Sequence, residues 1–318
     1  MPAADAVLRT IAGMELIYAL QDVASPALDR IMLLITNFGS EQAYVVLLIV
    51  AFVVIDARRG RSLAIIFLAG MFLNFVLKGA FASQRPFQID PTVARSPAAI
   101  HTAVGAGFPS GHAQGAMMFW GTAANFARRN WFTLLAAVVV ALVAISRLYL
   151  GVHLPIDVIG GLVIGLLVVA VGTAFHRSGV RLSTGVVMIG GLLVPLVAQL
   201  VVGAEDSGVL LGGLAAFIVG PALIRHETRG PLLGRVILGV IAVGLVFGVL
   251  MGTSVLLSEA VKDSAFGSFV RYLALGLCGT LLAPFIGKVT GLTPVVPDPR
   301  PSDATALKAA SASGSAGG

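Results

Sequence analysis

Charge is what this sequence lacks most. Asp, Glu, Lys and Arg make up 11% of its 318 residues, against 57% hydrophobic residues and a mean hydropathy of +0.97. A soluble domain needs far more polar surface, so the water-exposed globular classes are excluded. Cysteine is scarcer still: Cys278 stands alone in an apolar run, which leaves neither a disulfide framework nor a cysteine metal site. The apolar runs are continuous and lack the period-two alternation of lipid-facing strands, which excludes a barrel. Residues 1–36 lack a basic leader followed by a compact apolar core and a small-residue cleavage site. No cleavable signal is therefore expected, and the first span should act as its own insertion signal. What is left is an all-α, polytopic membrane protein built from recurring apolar runs of about 20 residues.

The net charge of +6 is scattered over short loops, which fits a positive-inside bias and an anionic lipid surface rather than nucleic acid. Residues 3–36 mix apolar and polar groups in a rough helical period (Leu8, Ile11, Met14 and Ile17 against Asp5, Arg9, Glu15 and Asp22), with a second short piece after Pro26. Both are expected to lie in the interface. Five spans are expected at about 42–55, 62–79, 112–127, 131–146 and 155–175, then four apolar runs at about 183–202, 208–224, 233–257 and 268–287. The connection at 80–108 is the longest polar stretch before the C-terminal tail, and irregular backbone of that length belongs outside the hydrocarbon or along a water-filled cavity. The loops at 56–61, 128–129, 176–181 and 225–235 are rich in arginine and expected in the cytoplasm. Lys78, Arg85, His112, Arg147 and His153 then share the outer face.

Three polar clusters interrupt the apolar sequence: Lys78 to Arg85-Pro86, Pro109-Ser110-Gly111-His112, and Ser146-Arg147 through His153 to Asp157. Ionisable groups at span ends are costly and point to a site. Phosphoryl transfer needs cations for the spectator oxygens, a nucleophile in line and an acid for the leaving oxygen. Lys78, Arg85 and Arg147 supply cations. Ser110 and Gly111 open a helix, where free N–H groups favour an anion. His153 and Asp157 are four apart at a helix start, so Asp157 can hold the imidazole in the tautomer that leaves Nε2 free to attack phosphorus. His112 is then the acid, and afterwards the base for water. No carboxylate cluster for a divalent metal stands near these groups, so the chemistry is expected to be metal-independent. His101, His176 and His226 lack such a context and are expected at the interface; Asn74 and Gln199 are read as interhelical glue.

The three blocks resemble the signature of the type 2 phosphatidic acid phosphatase (PAP2) family, the lipid phosphate phosphatases related to vanadium haloperoxidases: Lys, six residues, Arg-Pro; Pro-Ser-Gly-His; Ser-Arg, five residues, His, three residues, Asp. Every specified position matches. The resemblance implies that Lys78, Arg85, Ser110, Gly111 and Arg147 hold phosphate, that His112 is the acid and His153 the nucleophile, and that Asp157 is its partner. It covers roughly residues 40–176 and departs from the usual six-span pattern in two places. Interfacial helices stand in for the first span, and four extra spans follow residue 182.

The expected organisation is interfacial helices over 1–36, a PAP2-like catalytic helix bundle over 37–180, additional spans of unassigned role over 181–290 and a disordered tail over 291–318. The expected function is hydrolysis of a lipid phosphate monoester or diphosphate at the outer leaflet of a bacterial inner membrane, without cofactor. Phosphatidic acid, phosphatidylglycerol phosphate and polyprenyl diphosphate are the candidates the family implies. Transfer of the phosphoryl group to an acceptor lipid or sugar, and a lipid transporter or scaffold, stay open as alternatives, as does homo-oligomerisation.

Overall fold

The computed structural model describes residues 13–180 and 182–293. The amphipathic residues before 13 and most of the expected tail lie outside them. Among the described residues the chain is mainly helical and contains no strand, as expected. Residues 13–21 (α1), Pro26–Asn37 (α2) and Glu41–Val50 (α3) come first, and α3 runs into a π-helical turn at Ala51–Ile55. Then follow α4 (Ala57–Phe81), α5 (Pro86–Ile89), a 3₁₀ turn at Pro91–Val93, α6 (Pro97–His101), α7 (Gly111–Ala127), α8 (Asn130–Tyr149) and α9 (Pro155–Ser178). The remainder consists of α10 (Thr184–Val202), α11 (Ser207–Leu223), α12 (Leu232–Leu256), α13 (Glu259–Lys262), α14 (Ala265–Leu277) and, after a second π turn, α15 (Ala283–Val289).

Among the described residues six stretches are long and apolar enough to span a bilayer, and α2 with α3, bent by 47°, would make a seventh. Residues 26–37, expected in the interface, thus join a bent helix pair packed against α8. The helices α7 and α11 have 17 residues each, about 25 Å, the lower limit for a span. The protein is an integral membrane protein.

Local chemistry sets the helix starts. Ser25 and Ser110 cap α2 and α7, accepting from Leu28 N and Ala113 N, and Pro26 and Pro155 occupy first-turn positions of α2 and α9. Asp56 accepts from Arg59 N at 2.9 Å. Residues 57–61, expected as a loop, are therefore the beginning of α4: an aspartate N-cap followed by good helix formers needs no loop to place arginines at a polar end. The 80–108 connection is likewise less irregular than expected, holding α5, α6 and the 3₁₀ turn.

Close packing between α7 and α9 depends on Gly161 and Gly165. A Cβ on Gly161 would stand 2.5 Å from Ser110 O, and one on Gly165 3.0 Å from Gln114 O. Small residues four apart let the two backbones meet, the usual device where no hydrophobic effect drives helices together. Their contact carries Asp157 O to within 2.9 Å of Ser110 N.

The extension after residue 182 is fused to the rest through α11, which packs on α4, α10 and α14. An apolar cluster crosses the boundary, with Phe52, Phe67, Met118 and Phe119 on one side and Phe217 and Leu238 on the other. At the end of α4 remote from Lys78, polar bonds tie the halves. Pro221 has no N–H for the carbonyl four residues back, and Arg61 donates to that carbonyl, Phe217 O, at 3.2 Å and to Ile218 O at 3.0 Å. His226 Nε2 stands 3.0 Å from Val53 O, and Arg235 donates to Val54 O at 2.8 Å. His226 is accordingly buried between helices, not interfacial as expected: its imidazole serves a carbonyl that the chain reversal at Asp56 leaves free. Asn74 and Gln199 do join helices, bonding to Gln114 and to Ser207 and Ser268.

Candidate active site

The three clusters meet at one end of the bundle, where the end of α4, the 82–110 connection, the start of α7 and the α8–α9 turn converge. His153 lies in that turn, 1% exposed. Asp157 is one helical turn further on; its Oδ2 lies 3.3 Å from His153 Nδ1 and accepts from Leu154 N at 2.9 Å. Arg85 donates to His153 Nε2 at 3.1 Å. A guanidinium only donates, so Nε2 presents a lone pair and the ring proton sits on Nδ1, facing the carboxylate. Burial first, then the charges of Arg85, Arg147, Lys78 and His112, hold the His153 imidazole well below its ordinary 6.5. Groups from four separate segments therefore bear on one ring.

The cations are held differently. Arg85 is 2% exposed and also donates to Gly105 O (2.9 Å), Val152 O (2.9 Å), Val104 O (2.7 Å) and Ala106 O (3.1 Å). Lys78 Nζ donates to Ala106 O as well. The carbonyls of 104–106 thus gather both side chains from α4 and its C-terminal edge. Arg147, at the last turn of α8, is wholly buried; it donates to Thr36 Oγ1 at 2.6 Å and Thr102 Oγ1 at 2.8 Å, and its Nε has no partner. His112 Nε2, in the first turn of α7, is also buried and without a partner. Each such group costs about 1–3 kcal/mol unless something answers it.

Ser110 and Gly111 are placed by helix capping. Ser110 is fully buried, its hydroxyl oxygen turned to Ala113 N at 3.5 Å and its N–H donated to Asp157 O. Gly111 lies against Asn74, whose amide donates to Pro109 O at 3.3 Å and to Gln114 Oε1 at 2.8 Å. Gln114 donates in turn to Gly70 O at 2.8 Å. This buried amide pair fixes the start of α7 against α4.

Thr36, Thr102 and Ser83 carry part of the arrangement and had no signal in sequence. Ser83 accepts from Phe108 N through Oγ (2.6 Å) and from Gly107 N through its carbonyl (2.9 Å), folding the connection back on itself. Its outer side is pinned by Arg95 to Asp29 at 3.0 Å, by Tyr149 OH to Asp29 at 2.6 Å, and by Gln21 to Val93 O and Tyr149 O.

Comparison with known proteins bears on what such a cluster does. Residues 59–180 match the PAP2 superfamily, and residues 204–294 match the PAP2 superfamily phosphatase, transmembrane extension. The chain is 30% identical over 144 residues to an undecaprenyl-diphosphatase of Sulfolobus acidocaldarius, covering 43% of this chain and 66% of that relative. It is 30% identical over 158 residues to phosphatidylglycerophosphatase B of Bacillus subtilis, covering 46% and 73%. Two crystal structures align less closely. Aquifex aeolicus LpxE has TM-score 0.46 and 22% identity, over 51% of this chain and 95% of that one. The first transmembrane PAP2 type phosphatidylglycerolphosphate phosphatase from Bacillus subtilis has TM-score 0.45 and 28% identity, over 54% and 88%. The share of the Bacillus phosphatase that is matched, together with the superfamily match over the very segment that builds the cluster, identifies the chain as a member of the PAP2 superfamily of membrane lipid phosphatases.

Proposed function

We propose that the protein hydrolyses a phosphate monoester or diphosphate of a lipid through a phosphohistidine on His153, at the outer leaflet. The observation that carries this reading is His153 itself: a buried imidazole with Nδ1 toward Asp157 and an Nε2 lone pair turned to the Arg85 guanidinium. Nε2 attacks phosphorus while Lys78, Arg85, Arg147, the Ser110 hydroxyl and the Gly111 N–H hold the non-bridging oxygens. The bond from phosphorus to the lipid oxygen breaks, and protonated His112 gives its proton to that oxygen. Water then attacks the phosphohistidine with His112 as base. Inorganic phosphate leaves and His153 returns to its neutral form. Asp157 fixes the tautomer and balances the positive charge that develops on the ring. The unpartnered atoms of His112 and Arg147 support these roles, since a bound phosphate ester brings an acceptor to each.

The arginine-rich loops at the opposite end support an outer, periplasmic site. Relatives named as an undecaprenyl-diphosphatase and a phosphatidylglycerophosphatase support a lipid substrate. The test is inorganic phosphate release by the purified protein from phosphatidic acid, phosphatidylglycerol phosphate and a polyprenyl diphosphate, with EDTA present and no acceptor. Turnover of at least one, lost in His153→Ala, is the expected result. Release that requires an added acceptor lipid or sugar would replace hydrolysis by phosphotransfer.

A further inference from the structure

The extension and the core enclose an apolar cavity of about 180 Å³ between α3, α4, α11, α12 and α14. Its walls run along the helices: Gln42, Val45 and Ile49 face it from α3, and Val209, Gly213 and Phe217 from α11. Each set recurs at helical spacing, so the cavity extends for about two turns, roughly 12 Å, parallel to the bundle. Glycine keeps it open. A Cβ on Gly213 would already be 3.5 Å from Leu68 Cδ1, and one on Gly279 would be 3.6 Å from Ile49 Cγ1 and 3.7 Å from Val246 Cγ2. The cavity reaches the bundle end that holds the polar cluster. Glu41, at its mouth, begins α3 two residues after Gly39, and a Cβ on Gly39 would lie 3.0 Å from His112 Cδ2.

We propose that this cavity receives the hydrocarbon chain of the same lipid whose phosphate is held beside His153, an inference that rests on the phosphatase reading above. Position selects this occupant over a resident phospholipid. The cavity's rim carries both signs, with Glu41 and Asp206 acting on one another and Arg271 donating to Leu250 O at 3.3 Å over the Tyr272 ring. A phosphate therefore finds one guanidinium there, but three cations across the first turn of α3, at Lys78, Arg85 and Arg147. Seated on those three, it leaves its chain to enter the cavity. The extension thereby supplies most of the wall for the part of the substrate that the PAP2 core does not grip.

The experiment compares phosphate release from dioleoyl and dihexanoyl phosphatidic acid by the full chain, by Gly213→Leu and by Leu250→Trp, which fill the cavity from α11 and from α12. The expected result is a KM for the dioleoyl lipid raised about 10-fold in both variants, the loss of a few methylene burials, with kcat/KM for the dihexanoyl lipid within about twofold of the parent. Unchanged dioleoyl kinetics in both variants overturn the proposal. Equal losses on both lipids in both variants overturn it too, because they make the cavity a matter of packing alone. Where phosphatidic acid is not turned over, the same long-chain and short-chain comparison is made with whichever lipid of the panel above is. Failure of the unsubstituted chain on every one strikes the phosphatase reading itself, and the inference falls with it.

Discussion

The core over residues 59–180 and the extension over 204–294 bury polar groups in opposite ways. In the core, Arg85, Arg147, His153 and Asp157 are each 2% exposed or less, and His153 lies between Arg85 and Asp157. In the extension, Ser207, Ser268 and Thr280 are equally buried, but each answers a nearby carbonyl or amide: Thr280 Oγ1 donates to Ala216 O at 3.1 Å, Ser207 Oγ donates to Gln199 Oε1 at 2.7 Å and Ser268 Oγ accepts from Gln199 Nε2 at 3.5 Å. The second pattern is ordinary interhelical bonding, worth roughly 0.6–2 kcal/mol a bond. The first concentrates charge where it is expensive and leaves Arg147 Nε and His112 Nε2 unanswered. Such an arrangement costs stability in the protein alone, and under the proposed function a bound phosphate offsets that cost.

The sharpest way to test that contrast is His153→Ala, expected to lower phosphate release by about 10⁴-fold or more while the purified protein keeps its elution volume; His112→Ala should cost about 10²–10⁴-fold. Next comes the support of Arg147. Thr36→Val removes a hydrogen bond to a charged group, and kcat/KM should fall about 10- to 100-fold. Thr36→Ser should restore most of it, which a packing defect would not allow. The acid limb of the kcat/KM profile measures the held-down imidazole of His153. Because its affinity for a proton is lowered by burial and neighbouring cations, activity should persist below pH 6.5 and disappear only as pH falls through the depressed value. A midpoint above 6.5 would contradict the lowered proton affinity of this ring. On the extension side, His226→Ala leaves Val53 O without its donor. Thermal stability in detergent should drop by about 1–3 kcal/mol with kcat for a short-chain lipid phosphate unchanged. The smallest effect is expected from EDTA, which should leave turnover unaltered.

Most of the site could be read from the sequence because its charges lie at the ends of apolar runs, and because His153 and Asp157 share a helix start, where spacing alone predicts a contact. Thr36 and Thr102 could not. They reach Arg147 across 111 and 45 residues, and a threonine near a helix end is too common to signal anything. At 56–61 the arginines suggest a loop, although Asp56, an aspartate ahead of helix-forming residues, is the stronger local cue and starts α4. His226 shows the opposite difficulty: nothing in its neighbourhood reveals that Val53, 173 positions earlier, would need a donor.

Pro221 interrupts the hydrogen-bond ladder of α11, and Arg61 fills the gap from a different helix. Each part therefore holds something the other needs, as two halves of a clasp do. A truncation that ended the chain after α9 would leave Arg61 without its acceptors and Val53 and Val54 without their donors. The catalytic segment is thus ill suited to being excised, and a transplant of the extension onto another core would have to bring a guanidinium to the same level of its second long helix.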